Sequence, residues 1–229
     1  MKKNLRILFL CRKNDIYSKK LSNYLKQNFK DIKIFESSKH NEKTPSKVKK
    51  WNGDIILSFR SYLILSKKVL RNAKLISVNF HPGPPKYRGI GCINYAIYNN
   101  EKVYGVTAHL MSPKIDEGKI LFIKKFKLKK NINLKKALSK THSNLFNLAI
   151  SVIKLIKNQK DIKNYFKNIK TGIKWSRNIK YLKDLENFYI IKNGISKKEL
   201  QKKLRATVTK NFKPYIYLHK KKFIYDDDK

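Results

Sequence analysis

Cysteine occurs twice in 229 residues, at Cys11 and Cys92, too few for a disulfide framework or a cysteine-based metal cluster, and no metal is expected. No run approaches the roughly 18 uninterrupted apolar residues of a membrane-spanning helix, so no membrane partner is expected either. The opening MKKNLRILFLCRKND imitates a secretory signal, with two lysines before an apolar run. That run is short and stops at Arg12-Lys13 without a small-residue cleavage site; it reads as a buried first strand, and the protein is expected in the cytoplasm. Glycine (8) and proline (6) are scarce. Arginine is confined to Arg6, Arg12, Arg60, Arg71, Arg88, Arg177 and Arg205. What fills the chain is lysine: Lys and Arg total 55 against 15 Asp and Glu, a net charge of +40. These lysines are scattered among Asn and Ile, the residues of AT-rich codons, rather than gathered in a stripe. They read as solvated faces and not as a nucleic-acid surface. The charge still favours encounter with a phosphorylated substrate.

The apolar pattern places strands at Leu5–Cys11, Ile32–Phe35, Asp54–Phe59 and Lys74–Phe80, with a helix over residues 15–29 and a short one over Leu65–Arg71. Strands alternating with helices predict an α/β fold with a mostly parallel central sheet and helices on both faces. Beyond it come a short helix over Gly91–Tyr98 and strands over Val103–Met111 and Lys119–Phe126, joined by the turn PKIDEG. A long amphipathic helix is expected over Leu134–Ile156, and an irregular polar stretch from Asp161 to Lys180. The remainder divides into a helix opened by the Ser196/Glu199 capping-box pattern, a hairpin of Tyr215–Leu218 with Lys222–Tyr225, and a frayed DDDK end. Residues 1–180 thus read as one catalytic domain and 181–229 as a small helix-and-hairpin extension.

Half the prolines and three of the eight glycines fall in one stretch, NFHPGPPKYRGIG, residues 79–91. It begins at the carboxyl end of a predicted parallel strand, where ligands bind in such sheets. Asn79 and His81 are two apart and share a strand face. An amide donor beside an imidazole can stabilise negative charge growing on a carbonyl oxygen, and the imidazole can move a proton near neutral pH. Asp116, in PKIDEG, is the carboxylate placed by topology to complement that histidine. His109 and His142 read as structural, and His40 and His219 as solvent-facing. Each residue alone has a bland explanation, a surface histidine or a turn aspartate.

Together, Asn79-Phe80-His81-Pro82, Pro85, Arg88-Gly89, and Met111, Asp116, Gly118 and Ile120 resemble the catalytic signature of the N10-formyltetrahydrofolate-dependent formyltransferases, strongly over residues 50–126. The resemblance implies a Rossmann-like formyltransferase fold and direct formyl transfer from N10-formyltetrahydrofolate. Asn79 and His81 would bind the formyl oxygen, and Asp116 would orient His81 and help relay the amine's proton. No enzyme nucleophile is implied, which leaves Cys11 and Cys92 as small buried hydrophobes. The donor's pterin would lie along Ser58, Phe59, Arg60, Ser61, Tyr62 and Leu63, with Ile115 and Asp116. Within the family, the turn CRKNDIYSKK lacks the glycines of the purine class, and the segment after Trp175 is shorter than the barrel domain of the tRNA class. HPGPPKYRGIG is similar to the nucleotide-sugar class. The acceptor expected is therefore a nucleotide-linked 4-amino-4,6-dideoxysugar, GDP-perosamine-like first and dTDP-linked second, destined for O-antigen and lipopolysaccharide. Its contacts would involve Pro84, Tyr87, Arg88, Gly89, Gly91, Asn94 and Tyr98, with Arg88 equally suited to bracing the loop. A homodimer is a further expectation. A methionyl-tRNA enzyme and a non-catalytic, lysine-rich nucleic-acid binder are the alternatives.

Overall fold

The computed structural model describes residues 2–210 and 212–226. In the first strand, β1 (Lys3–Arg12), Ile7, Leu8, Phe9, Leu10 and Cys11 are all buried. A run apolar at successive positions must be covered on both faces, which makes β1 a central strand. It pairs in parallel with β2 (Phe29–Ser37) and β3 (Gly53–Phe59), and β3 pairs in parallel with β4 (Ala73–His81). The six-stranded sheet is completed by β6 (Val103–Leu110) and β7 (Ile120–Lys127), in the order β2-β1-β3-β4-β6-β7. β6 is antiparallel to both β4 and β7, so it is the one strand of this sheet that runs against the rest, and the expected mostly parallel sheet is present.

Alternation within the strands sends side chains to two cores. On one face, Ile7, Phe9, Ile55, Leu57, Val78 and Phe80 pack against α1 (Ile16–Asn28), α5 (Leu134–Asn158) and α6 (Ile162–Asn168). On the other, Leu8, Leu10 and Ile56 meet Val48 of α2 (Ser46–Lys49), Val69 of α3 (Lys67–Leu70), Trp51, Leu63 and Leu65. Asp15 starts α1 by accepting the Ser18 N–H at 2.8 Å, as its place before the apolar pattern predicts. α5 inserts Leu145, Leu148, Ala149, Val152, Ile153 and Ile156 into the first core, each stabilising by roughly 1.5–3 kcal/mol where a large side chain is fully buried.

A third cluster joins α4 (Cys92–Tyr98) to the start of α5 and to α8 (Lys197–Thr207) through Ile93, Ala96, Ile97, Tyr104, Leu134, Ala137 and Ala206. Asn94 donates to Ala206 O at 2.8 Å and Tyr98 OH to Glu199 at 2.7 Å across the same seam. Ser196 caps α8 by accepting from Glu199 N, while the Glu199 carboxylate that would complete the box takes Tyr98 and Lys202. The short strands β5 (Arg88–Gly89) and β8 (Ile179–Lys180) pair in parallel, and α7 (Leu182–Phe188) follows. β9 (Tyr215–Leu218) and β10 (Lys221–Ile224) form the hairpin, turning at His219 and Lys220 with positive φ at both, as a two-residue type I′ turn demands.

The stretch expected to be irregular, residues 161–180, is corrected in its first half. Asp161 accepts from Asn164 N at 3.0 Å, and Ile162 and Phe166, four apart, are both buried, so a capped amphipathic turn forms α6 among the lysines. The DDDK end lies, past Asp226, outside the described residues. Among the described residues no helix is long and apolar enough to cross a membrane.

Leu145, with no exposed surface, should lose about 2–5 kcal/mol of unfolding free energy when changed to Ala. The exposed Lys154→Ala on the same helix should stay within about 0.5 kcal/mol. Urea denaturation of the two variants checks the assignment of this helix face.

Candidate active site

β4 ends at His81, and strand alternation puts Asn79 on the same face. Because β6 runs antiparallel beside it, Asn79 lies directly opposite His109 and His81 opposite Thr107. The proline-rich loop then folds back over the strand end. Tyr104 OH donates to Pro82 O at 3.0 Å and Thr107 Oγ1 to Gly83 O at 2.7 Å, which fixes its first turn. A Cβ at Gly83 would stand 2.6 Å from His81 Nε2, so only glycine leaves room for the imidazole. Gly89 has φ of 82° and crosses the Lys180 carbonyl so closely that a Cβ would meet it at 2.0 Å.

Asp116 comes to this strand end from the turn between β6 and β7, with φ of 45°, a conformation that costs a non-glycine residue about 1–3 kcal/mol. Its Oδ2 accepts the Gly89 N–H at 2.9 Å and lies 3.1 Å from His81 Nδ1. Oδ1 lies 3.4 Å from His109 Nε2. Asp116 is 7% exposed, and His81 and His109 are 3% exposed. Burial alone would raise the carboxyl pKa. It is outweighed by the carboxyl's neighbours, His81 first and then His109 and the Gly89 N–H, which together hold Asp116 down at about 2. Burial lowers His81 below its ordinary value, opposed by Asp116 and by the Tyr87 carbonyl, 2.8 Å from Nε2. Both nitrogens of His81 thus face acceptors, and a neutral ring can satisfy only one of them at a time.

Arg88 braces the arrangement. Its Nη2 donates to Ile115 O at 2.9 Å and its Nη1 to Ser176 O at 3.0 Å, tying the aspartate turn to the loop and to residues 170–180. That last segment lies across the site: Ser176 N donates to Pro85 O, and Ile90 N to Lys180 O. It carries Trp175, whose ring meets His81 and His109 edge-on at centroid separations of 5.7 and 5.0 Å while its Nε1 donates to Gly118 O at 2.7 Å. Trp175 and His109 are the site residues that sequence reasoning missed. The signal for His109 was its place opposite Asn79 in the strand register, which needs the β4–β6 pairing to be known.

Asn79, His81 and Asp116 are therefore brought together, with Gly89 and Arg88 beside them. Tyr87 OH donates to Glu101 at 2.8 Å, Pro84 is half-buried, and Gly91 starts α4 with φ of 75°. Asn94 and Tyr98 have their polar groups engaged by α8. At the end of β3, Ser58 pairs with Asn79 in register, and Phe59 is core beside Phe80. Arg60, at φ of 55°, forms an ion pair with Asp15. Ser61 and the Tyr62 N–H both meet Ser37 Oγ, Leu63 is buried, and Arg12 lies over the Tyr62 ring at 4.5 Å. Residues 61–66 have no regular secondary structure, and their Leu63 and Leu65 pack with Met111 into the second core. Burial pushes the Cys11 thiol up to about 12 and Cys92 higher still, so neither is a ready nucleophile. His40 and His219 are exposed, and burial lowers His142 to about 3, keeping it neutral on α5.

Residues 6–153 match the family model described as formyl transferase. A methionyl-tRNA formyltransferase of Borrelia garinii is 37% identical over 101 residues, covering 44% of this chain and 32% of that protein. The chain thus spans about a third of the length of such curated relatives. Among solved structures, a sugar N-formyltransferase from a Shewanella species aligns over 96% of both chains with TM-score 0.74 and 17% identity. The N-formyltransferase of Helicobacter canadensis, solved with folinic acid and dTDP-3-aminofucose, aligns over 94% of this chain and 85% of that one, with TM-score 0.66 and 19% identity. Likenesses at these identities show the fold.

A carboxyl held at about 2 against an ordinary 3.8 stabilises the fold fully above pH 3.8 and loses that contribution as pH falls through about 2. The contribution is on the order of 2 kcal/mol. The stability advantage of the native chain over Asp116→Asn, read from urea midpoints, should shrink across that window; an advantage independent of pH would mean the pairing adds nothing.

Proposed function

This chain belongs to the formyl transferase family, and from that premise we propose that it transfers a formyl group from N10-formyltetrahydrofolate to the amine of a nucleotide-linked 4-amino-4,6-dideoxysugar. The observation that carries the reading is the convergence of Asn79, His81 and Asp116 at one strand end, with Asp116 3.1 Å from His81 Nδ1. The donor supplies the formyl carbon, and the sugar amine attacks it directly to form the new C–N bond. The tetrahedral adduct collapses as the C–N10 bond breaks, the proton lost by the amine passing to N10 of the departing tetrahydrofolate. Asn79 gives an amide N–H to the formyl oxygen as it gains negative charge. His81 adds its own N–H to that oxygen, and Asp116 holds the imidazole and helps carry away the amine's proton. The hydrogen bond from His81 Nε2 to the Tyr87 carbonyl has to give way for this. The pterin lies along residues 58–63, with Ile115 and Asp116.

Two observations support a sugar acceptor. HPGPPKYRGIG has the form of the nucleotide-sugar class, and the likeness to the Shewanella sugar enzyme covers 96% of this chain. Arg88 Nε is buried without a partner among the described residues, a spare donor beside Tyr87 on the acceptor side. A GDP-perosamine-like sugar is the first choice and a dTDP-linked one the second, with the product passing to O-antigen in the cytoplasm. Identity to methionyl-tRNA formyltransferases and the charge of +40 favour the tRNA reading as the competitor.

The test is a panel of GDP- and dTDP-linked 4-amino sugars incubated with the formyl donor and read by mass spectrometry. A formylated sugar is expected. Formylation of methionyl-tRNA with no sugar turned over would replace this reading by its competitor. With the active sugar, His81→Ala and Asp116→Ala should each lower the rate on the order of 10²–10⁴-fold; a near-normal rate in either removes it from the mechanism.

A further inference from the structure

We propose that His109 is a positioning residue for formyl transfer: as a neutral imidazole it fixes the amide of Asn79 so that one N–H remains for the formyl oxygen. The inference rests on the reading of Asn79 given above. It starts from the sheet register, which sets His109 of β6 directly opposite Asn79 of β4 and so puts both side chains on one face. His109 Nδ1 lies 2.8 Å from Leu110 O. A carbonyl oxygen only accepts, so Nδ1 carries a hydrogen, and His109 is either the Nδ1–H neutral tautomer or the cation.

The other nitrogen, Nε2, has two neighbours: Asn79 Nδ2 at 3.1 Å and Asp116 Oδ1 at 3.4 Å. The neutral ring offers a lone pair there, which calls for a donor, and the amide nitrogen is the nearer group. A charged ring would offer a proton, which calls for the carboxylate and turns the amide oxygen of Asn79 inward. The closer contact, with Asn79 rather than with Asp116, points to the neutral form. Asn79 then gives one N–H to His109 and keeps the second for substrate. A flipped amide would set oxygen against the Nε2 lone pair. His109 thereby selects one of the two orientations that an asparagine otherwise holds nearly equally. Trp175 closes the far side, edge-on to the ring at 5.0 Å, so that no bulk water competes for Nε2. His109 does for Asn79 what Asp116 does for His81.

His109→Leu should lower kcat on the order of 10-fold to 100-fold with the KM of donor and acceptor nearly unchanged. His109→Gln, whose amide oxygen can accept at the position of Nε2, should recover most of that loss. A general packing defect would not be rescued in this way. In an Asn79→Ala background, adding His109→Leu should cost little more, because the group it positions is gone. Losses that multiply would mean His109 acts through something else and would overturn the proposal. Nitrogen NMR of the imidazole needs no acceptor, and so separates this inference from the choice of substrate. It should find His109 protonated at Nδ1 and bare at Nε2, with the Nε2 resonance moving in Asn79→Ala. A proton on Nε2 in the resting protein, or a resonance indifferent to Asn79, refutes it whatever the enzyme acts on.

Discussion

An ionised carboxylate in the interior costs several kcal/mol unless charge and hydrogen bonds compensate it. Asp116 meets that demand with the Gly89 N–H and with His81 at the β4 end, while His109 of β6 lies 3.4 Å from its other oxygen. The loop of residues 82–91 and the turn carrying Asp116 are consequently conditions for each other. Neither could hold its conformation alone, since the turn needs a left-handed aspartate and the loop needs its backbone N–H satisfied. Arg88 then fastens both to residues 170–180 through two carbonyls. The reacting groups are positioned by an interaction that also stabilises the fold.

The reversed strand makes this possible. Running antiparallel, β6 enters at one edge and delivers His109 opposite Asn79, and its exit leads straight into the aspartate turn. Trp175 covers the two imidazoles, and excluding water there strengthens every charge interaction beneath it.

Much of this was legible from residue order. The alternation of Asn79 and His81, the apolar run of β1 and the cap at Asp15 are local patterns, and each depends only on neighbours within a few positions. Asp116 was legible because its turn joins strands that had to be adjacent. His109 was not, since a histidine inside VYGVTAHLM has the pattern of a core strand and its partner is set by register. Trp175 was not either, because its hydrogen bond to Gly118 O spans 57 residues and nothing local announces it. α6 was hidden by lysines that sit on its solvent side, while the buried pair Ile162 and Phe166 that holds it is too short a signal to stand out. Asn94 and Tyr98 read as acceptor ligands by sequence position, yet their partners on α8 lie about a hundred residues away and no spacing rule reveals them.

That last seam has a consequence for recombining members of this family. α4 begins at the end of the acceptor loop, and its inner surface is held to α8 by an amide, a phenol and Ala206. A chimera that exchanged the C-terminal segment alone would leave Asn94 and Tyr98 facing foreign partners and disturb the loop in front of them. α4 and α8 therefore form one inheritable cassette, discontinuous in the gene but single in space.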